Sequence, residues 1–343
     1  MVVQFEKCEL KIDQIHKEEF SKESFIEHEL KVIELIQRWL RNEPNFEFKT
    51  SGSTGNAKTI LIERKKIEYS CESTMNKIDP DHKFGSALLC LNPEMIGGAM
   101  VVFRSLVRDL DLHVLKPVSN PLVLLDEKFT FDLTSLVPMQ LHKALPHQLD
   151  IFSAILVGGA PLTGHVVSSS AKIYETFGMT ETVSHFAIKA LGQDEYECIG
   201  DTLIKERNDD VLEIKGSLTD HKTLKTNDLI EFISSTRFKW IGRADFVINS
   251  GGIKINPEVV ERKLSALLDR RFFISCLPDL KLGNKVVLII EGDSYDPALD
   301  LSNLEKYQKP KDIHFLECFV LTNSQKIDRP RTKELLIKQL NSR

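Results

Sequence analysis

Apolar positions near the start of the chain follow a helical period. In "SFIEHELKVIELIQRWLRNEP" Ile26, Leu30, Ile33, Ile36 and Leu40 fall on one face, which predicts an amphipathic helix. Ser24 and Glu27 have the spacing of a capping box, and Pro44 stands just past the expected end. The period then becomes two. "NFEFKT" alternates as a strand does, and "TILIE" is rich in β-branched residues. Between them lies "TSGSTGNAKT", residues 50 to 59, so this loop is expected to join two strands.

Further strands are predicted at "SALLCL", "HVLKPV", "SAILVGG", "KIYETFG" and "VLEIKG", with helix-like stretches such as the one around "TSLVPMQLHKAL" between them. The alternation predicts an α/β body. The pattern changes at "IGRADFVINSGGIKINPEVVERKLSALL". Two short strands there flank Gly251 and Gly252, and a helix follows with Asn256 as cap and Pro257 at its first position. "RFFISCLPD", "KVVLIIEG", "DIHFLECFVL" and a final helix "RTKELLIKQL" complete a small α+β domain of about a hundred residues. No internal repeat, low-complexity tract or flexible linker is visible, so the boundary is set on motif grounds. The expected domains are 1–244 and 245–343.

Composition narrows the function classes. Of 343 residues, 42% are hydrophobic, enough for two cores in a soluble protein. Lys and Arg number 45 against 50 Asp and Glu, giving −5, with no basic block; a nucleic-acid or membrane-surface partner is not expected. The six cysteines (8, 71, 90, 198, 276, 318) are far apart and form no C-x-x-C pair, which points to reduced thiols rather than zinc ligands or disulfides. The start "MVVQFEKCELKIDQ" carries charges where a signal peptide needs an apolar core, and no apolar run reaches membrane-spanning length. A cytoplasmic protein is expected.

The loop at 50–59 has several readings. As G-x-x-x-x-G-K-[ST], Gly52 to Thr59 misses a Walker A motif by one residue, because Ala57 replaces the second glycine. A Walker loop also needs a helix directly after it, whose N-terminus and backbone N–H groups face the phosphates. "TILIE" reads as strand instead. A hydroxyl-rich glycine loop between strands can wrap nucleotide phosphates with Ser and Thr hydroxyls, backbone N–H groups and Lys58. An ordinary Ser/Gly surface turn is the third reading, and the loop alone does not decide.

The loop resembles the phosphate loop of the adenylate-forming superfamily of acyl-CoA synthetases, T-S-G-S-T-G-x-P-K, with Ala57 in place of the proline. Five more segments resemble that family's motifs, in its order. "VGGAPL" (157–162) is similar to the adenine-walling loop, and "FGMTET" (177–182) to Y-G-x-T-E with Phe177 for tyrosine. "KTNDL" (225–229) is similar to T-G-D-L with Asn227 for glycine. "GRADFVINSGGIKINPEVVE" resembles the hinge and second-domain signature, and "TNSQKIDR" (322–329) resembles T-x-x-G-K-I-x-R with Gln325 for glycine.

The resemblance implies a large mixed α/β nucleotide-binding domain followed by a smaller, mobile α+β domain. It implies ATP, Mg²⁺ and CoA as reactants and a small carboxylic acid as partner. Thr50, Ser51, Gly52, Ser53, Thr54, Gly55 and Lys58 would hold the β- and γ-phosphates. Gly158, Gly159, Ala160 and Pro161 would wall the adenine, beside Phe177 and Gly178; Thr180 would bind the α-phosphate and the acyl carboxylate, and Glu181 the Mg²⁺. Asp228 and Arg243 would bind the ribose, and Lys326 would serve adenylation. Asp245 would be the hinge, with Gly251 and Gly252 forming a turn that lines the pantetheine tunnel.

Only about fifty residues precede the phosphate loop, fewer than most members carry. "GMTETVSH" and "ILVGGAPL" look most like the ligases that join o-succinylbenzoate to CoA in menaquinone biosynthesis. That acid's ring needs an apolar slot and its second carboxylate a donor. Ser184, His185 and Arg104 are the candidate pocket residues. Two readings from other classes stand beside the ligase: a Walker-type NTPase or kinase, and a non-catalytic nucleotide-binding relative. AMP with pyrophosphate, ADP, or neither product would separate the three. Oligomeric state is not encoded in any visible pattern.

Overall fold

A computed structural model describes residues 1–49, 59–125, 128–162, 164, 166–207, 210–322 and 327–342. The chain opens with the antiparallel pair β1 (Val2–Gln4) and β2 (Glu9–Lys11), the short helix α1 (Ile12–Lys17) and the predicted amphipathic helix α2 (Glu27–Leu40). Of the expected apolar face Ile33 and Ile36 are buried, joined by Val32, Leu35 and Trp39, whereas Leu30 and Leu40 are half-buried and Ile26 is exposed. Each such side chain stabilises by about 1.5–3 kcal/mol when fully buried. The cap differs from the expected one. Ser24 lies in a separate 3-10 turn, and Glu29 takes over, accepting from Ile26 N at 3.0 Å and from Glu6 N at 2.9 Å. One buried carboxylate thereby satisfies an orphan donor of the helix end and ties α2 to the N-terminal strand.

β3 (Asn45–Lys49) and β4 (Thr59–Glu63) are antiparallel with Lys49 opposite Thr59, as the period-two pattern predicted. α3 (Arg64–Ile78) follows directly. Then come β5 (Ser86–Leu89), α4 (Ile96–Arg108), β6 (Asp111–Val114), β7 (Phe131–Leu136), α5 (Pro138–Lys143), α6 (Pro146–Leu149), β8 (Phe152–Val157) and β9 (Lys172–Gly178). These five strands are parallel, in the order β6-β5-β7-β8-β9. The β6 strand ends before Pro117, which has no N–H for a ladder, so "HVLKPV" is strand only in its first part. "TSL" likewise closes β7, and the helix begins only at Pro138, whose fixed φ suits a first helical position.

The sheet continues antiparallel through β10 (His185–Ala190), β11 (Glu195–Cys198), β12 (Leu203–Glu206), β13 (Val211–Lys215), β14 (Leu224–Ser234) and β15 (Arg237–Arg243). Among the described residues it has thirteen strands, ordered β12-β13-β14-β15-β11-β10-β9-β8-β7-β5-β6-β1-β2. The α3 and α4 helices pack against it, with Cys71, Met75, Ala99, Met100 and Phe103 in the common core.

After Arg243 the chain leaves this sheet for a smaller C-terminal unit. β16 (Ile248–Ser250) and β17 (Ile253–Ile255) form a hairpin, followed by α7 (Pro257–Leu264). Asn256 occupies the cap position, but its side chain makes no cap hydrogen bond. β18 (Phe272–Asp279), β19 (Gly283–Glu291) and β20 (Asp312–Leu316) form a second sheet, and α8 (Arg329–Asn341) closes the chain. The expected α/β class, a large sheet domain with a smaller α+β one, is the architecture observed. Among the described residues no helix is long and apolar enough to cross a membrane.

Candidate active site

β8 and β9 are parallel neighbours, so their carboxyl ends open side by side, where open α/β sheets bind ligands. Gly158 follows β8 so closely that an added Cβ would lie 2.3 Å from Thr176 Oγ1, which itself donates to Val157 O at 3.0 Å. Gly159 turns outward with φ +90, and Ala160 and Pro161 are exposed beside it. At the end of β9, Gly178 faces His185 across the β9–β10 pairing. A Cβ there would stand 2.0 Å from Ser184 O and 2.3 Å from His185 Cα. Close backbone approach requires glycine at 178, while at 158 the crowding atom is the Thr176 hydroxyl.

Between these strands the chain makes a tight turn. Thr180–Thr182 form one 3-10 turn, and Val183 follows at φ 66 and ψ −51. Ser184 N donates to Thr182 O at 2.7 Å, which makes Val183 the centre of a strained γ-turn. Strain of this kind costs about 1–3 kcal/mol and needs support. Thr182, fully buried, supplies it: its hydroxyl is 3.0 Å from Met179 O and 2.8 Å from Ser184 O. Glu181 is left exposed on the turn, and Thr180 is half-buried.

On the other side of β9, Asp228 of β14 lies opposite Arg243 of β15. Arg243 Nη1 is 4.0 Å from Asp228 Oδ2, and Arg243 Nη2 donates to Asp245 Oδ2 at 2.8 Å. Burial pushes the Asp228 carboxyl above its usual range, against the pull of Arg243 and of the Trp240 indole. Trp240 was not singled out in the sequence. Its Nε1 donates to Asp228 Oδ1 at 3.1 Å, and its ring lies 6.3 Å from that of Phe177. Phe177 is half-buried against Phe186, Tyr196 and Phe238. The "FGMTET" aromatic and the "KTNDL" carboxylate, about fifty residues apart, thus meet through one indole.

A third group is drawn from α3, α4 and β10. Arg104, on α4, is 2% exposed, and its Nε and Nη2 have no hydrogen-bond partner among the described residues. Burial lowers its pKa. His185, on β10, is buried and contacts Thr74 Oγ1 of α3 through Nε2 at 3.0 Å; its Nδ1 is 3.5 Å from Ser184 Oγ. Burial first, and the Arg104 charge second, hold His185 well below its usual 6.5. A buried guanidinium without an anion is costly, and a ligand carboxylate is the group that would relieve it.

The C-terminal unit approaches from beyond Arg243. Glu258 of α7 lies against Gly242, where an added Cβ would be 2.7 Å from Glu258 Oε2, and Arg262 donates to Ile241 O at 3.1 Å. Asp245 is exposed between the two units. Gly251 (φ +61) and Gly252 (φ +84) form the β16–β17 turn, and nothing lies within 4 Å of a Cβ built on Gly252. Thr50, Ser51, Gly52, Ser53, Thr54, Gly55, Lys58 and Lys326 lie outside the described residues.

The donor set suits magnesium. Among the described residues no three His, Cys, Asp or Glu side chains cluster as a metal cage. Glu181 offers one exposed carboxylate without an ion-pair partner there. Mg²⁺ is commonly held in this way, by one or two carboxylates completed by substrate phosphates and water.

Residues 13–207, more than half of the chain, match the family model described as AMP-binding enzyme. A protein from Mycobacterium tuberculosis named probable 2-succinylbenzoate–CoA ligase is 26% identical over 320 residues, covering 82% of this chain and 81% of its own. The 2-succinylbenzoate–CoA ligase of Enterococcus faecalis is 23% identical, covering 82% and 67%. Among solved structures, an acyl-CoA synthetase (AMP-forming)/AMP-acid ligase II-like protein from Dyadobacter fermentans is 34% identical over 90% of this chain and 94% of its own, with a TM-score of 0.58. The o-succinylbenzoate CoA synthetase from Bacillus subtilis, in complex with ATP and magnesium, shares the fold at a TM-score of 0.69 and 19% identity, covering 84% and 69%. With its glycine-tight strand ends, its strained "TET" turn and the paired Asp228 and Arg243, this chain belongs to the AMP-binding enzyme family.

Proposed function

We propose that the chain is an AMP-forming acid–CoA ligase whose acid is o-succinylbenzoate, with a role in menaquinone biosynthesis. Buried Arg104 carries the choice of acid. Its charge reaches His185, which directly follows Ser184, and its unpartnered Nε and Nη2 would give a second carboxylate on the substrate a charge-assisted partner. Relatives with names of this activity cover most of their own length in the comparison, which supports the same reading.

In the first half-reaction the acid's reacting carboxylate attacks the α-phosphorus of ATP and pyrophosphate leaves. Asp228, held by Trp240 and Arg243, accepts from the ribose hydroxyls, while the adenine lies along Gly158–Pro161 and Phe177. Thr180 donates to the α-phosphate region. Ser51, Ser53, Thr54 and Lys58 bind the β- and γ-phosphates, and Lys326 brings a cation to the transferring phosphoryl, where charge develops. Mg²⁺, held by Glu181 when bound, supplies neutralisation of the phosphate oxygens. In the second half-reaction the CoA thiol attacks the acyl-adenylate and AMP leaves. A rotation about Asp245 brings the Gly251–Gly252 turn against the pantetheine arm, and the domain boundary falls there.

The test is product analysis with o-succinylbenzoate, ATP, Mg²⁺ and CoA. AMP, pyrophosphate and the thioester are expected, with turnover more than about tenfold above that of benzoate or a fatty acid of similar size, because a monocarboxylate leaves Arg104 unpaired. ADP formation, or equal turnover of a monocarboxylate, overturns the reading.

A further inference from the structure

A threonine one helix away from the turn decides the state of the acid pocket. Thr74 Oγ1 is 2.8 Å from the carbonyl of Ser70, four residues back on α3, and 3.0 Å from His185 Nε2. A hydroxyl has one hydrogen to give. Ser70 O can only accept, so the shorter contact takes that hydrogen, the usual back-bond of a helical threonine. Thr74 Oγ1 is then an acceptor toward His185, and the imidazole must donate from Nε2.

We propose that Thr74 is a positioning residue for the acid pocket: it fixes the proton of the neutral His185 ring on Nε2, so that Nδ1 turns a lone pair toward Ser184. This rests on the placement of the acid beside Arg104 made above. The groups around the ring agree with it. From α4, Arg104 opposes a second positive charge, and Ser184 Oγ stands 3.5 Å from Nδ1 with a hydrogen to give. One cation is matched to one carboxylate. A protonated His185 would add a second charge and blur the distinction between a diacid and a more highly charged ligand.

The experiment is a two-bond ¹H–¹⁵N correlation spectrum of the histidines in the full chain without substrates, with the His185 signals identified by their loss in His185→Gln. Wild type and Thr74→Ser are expected to show the Nε2–H tautomer. Thr74→Val, which keeps the shape but removes the acceptor, is expected to move His185 to the Nδ1–H form donating to Ser184. The acid KM of folded Thr74→Val should rise about five- to tenfold, with kcat and the ATP KM within about twofold of wild type. An Nδ1–H ring in the wild type, or an unchanged tautomer in Thr74→Val, overturns the proposal. The spectrum needs no turnover, so a normal tautomer in a chain that does not use o-succinylbenzoate would count against the acid assignment and not against Thr74.

Discussion

Trp240 Nε1 donates to Asp228 Oδ1 at 3.1 Å, and this single bond joins the aromatic cluster around Phe177 to the carboxylate that lies opposite Arg243. Burial raises the Asp228 pKa, and Arg243, the indole and a Thr226 hydrogen bond oppose that rise. Trp240→Phe removes the donor while keeping an aromatic ring. The ATP KM should increase about tenfold, the loss expected for a hydrogen bond to a charged group, with the acid KM unchanged. Steady-state titration of each substrate checks it, and an unaltered ATP KM would remove Asp228 from the ribose site.

Arg104→Met separates binding from stability. The variant should lose more than about tenfold in o-succinylbenzoate KM while its unliganded fold is as stable as wild type or more so, because an unpaired buried guanidinium opposes folding. Urea unfolding beside the kinetic assay reads both. A variant of wild-type affinity would place the second carboxylate elsewhere.

His185 makes folding stability depend on pH. Its folded pKa lies well below 6.5, so as pH falls below that value the unfolded chain takes up a proton that the folded chain refuses. Its contribution is therefore complete above pH 6.5 and shrinks on acidification, by at most about 1.4 kcal/mol per pH unit. His185→Gln does not titrate. The stability gap between the two proteins should narrow, or reverse, as urea midpoints are followed from neutral pH to about pH 5; parallel curves would mean that His185 titrates normally.

Lys326→Ala should abolish acyl-adenylate formation yet leave the conversion of supplied acyl-adenylate to the thioester largely intact. The lysine's charge is expected to serve only the phosphoryl transfer. Half-reaction assays decide it, and equal loss of both steps is the contrary result.

Gly252→Leu is expected to do the opposite. At φ +84 a side chain brings strain of about 1–2 kcal/mol, but open space surrounds the position, so the protein should fold and adenylate. The added bulk would stand where the pantetheine arm passes. Normal thioester formation by the folded variant would exclude the turn from the tunnel.

Period and turn chemistry fixed the local elements: the α2 helix, the strands β3 and β4, the β9 strand and the Gly251–Gly252 turn could all be read from neighbouring residues, because their causes are local. Ordered motifs identified the family for the same reason, since each is a short run of neighbouring residues, one of them holding the glycine that Ser184 O and His185 Cα force at position 178. Long-range partners were decided only by the tertiary structure. Trp240 carries no motif, and Glu29, which caps the helix in place of the expected Ser24, also accepts from Glu6 N between β1 and β2. Thr74 meets His185 across more than a hundred residues of chain. Which charges are paired, and which, like Arg104, are buried with polar atoms left without a partner among the described residues, depends on how α3, α4 and β10 pack together, and no spacing along the chain encodes that.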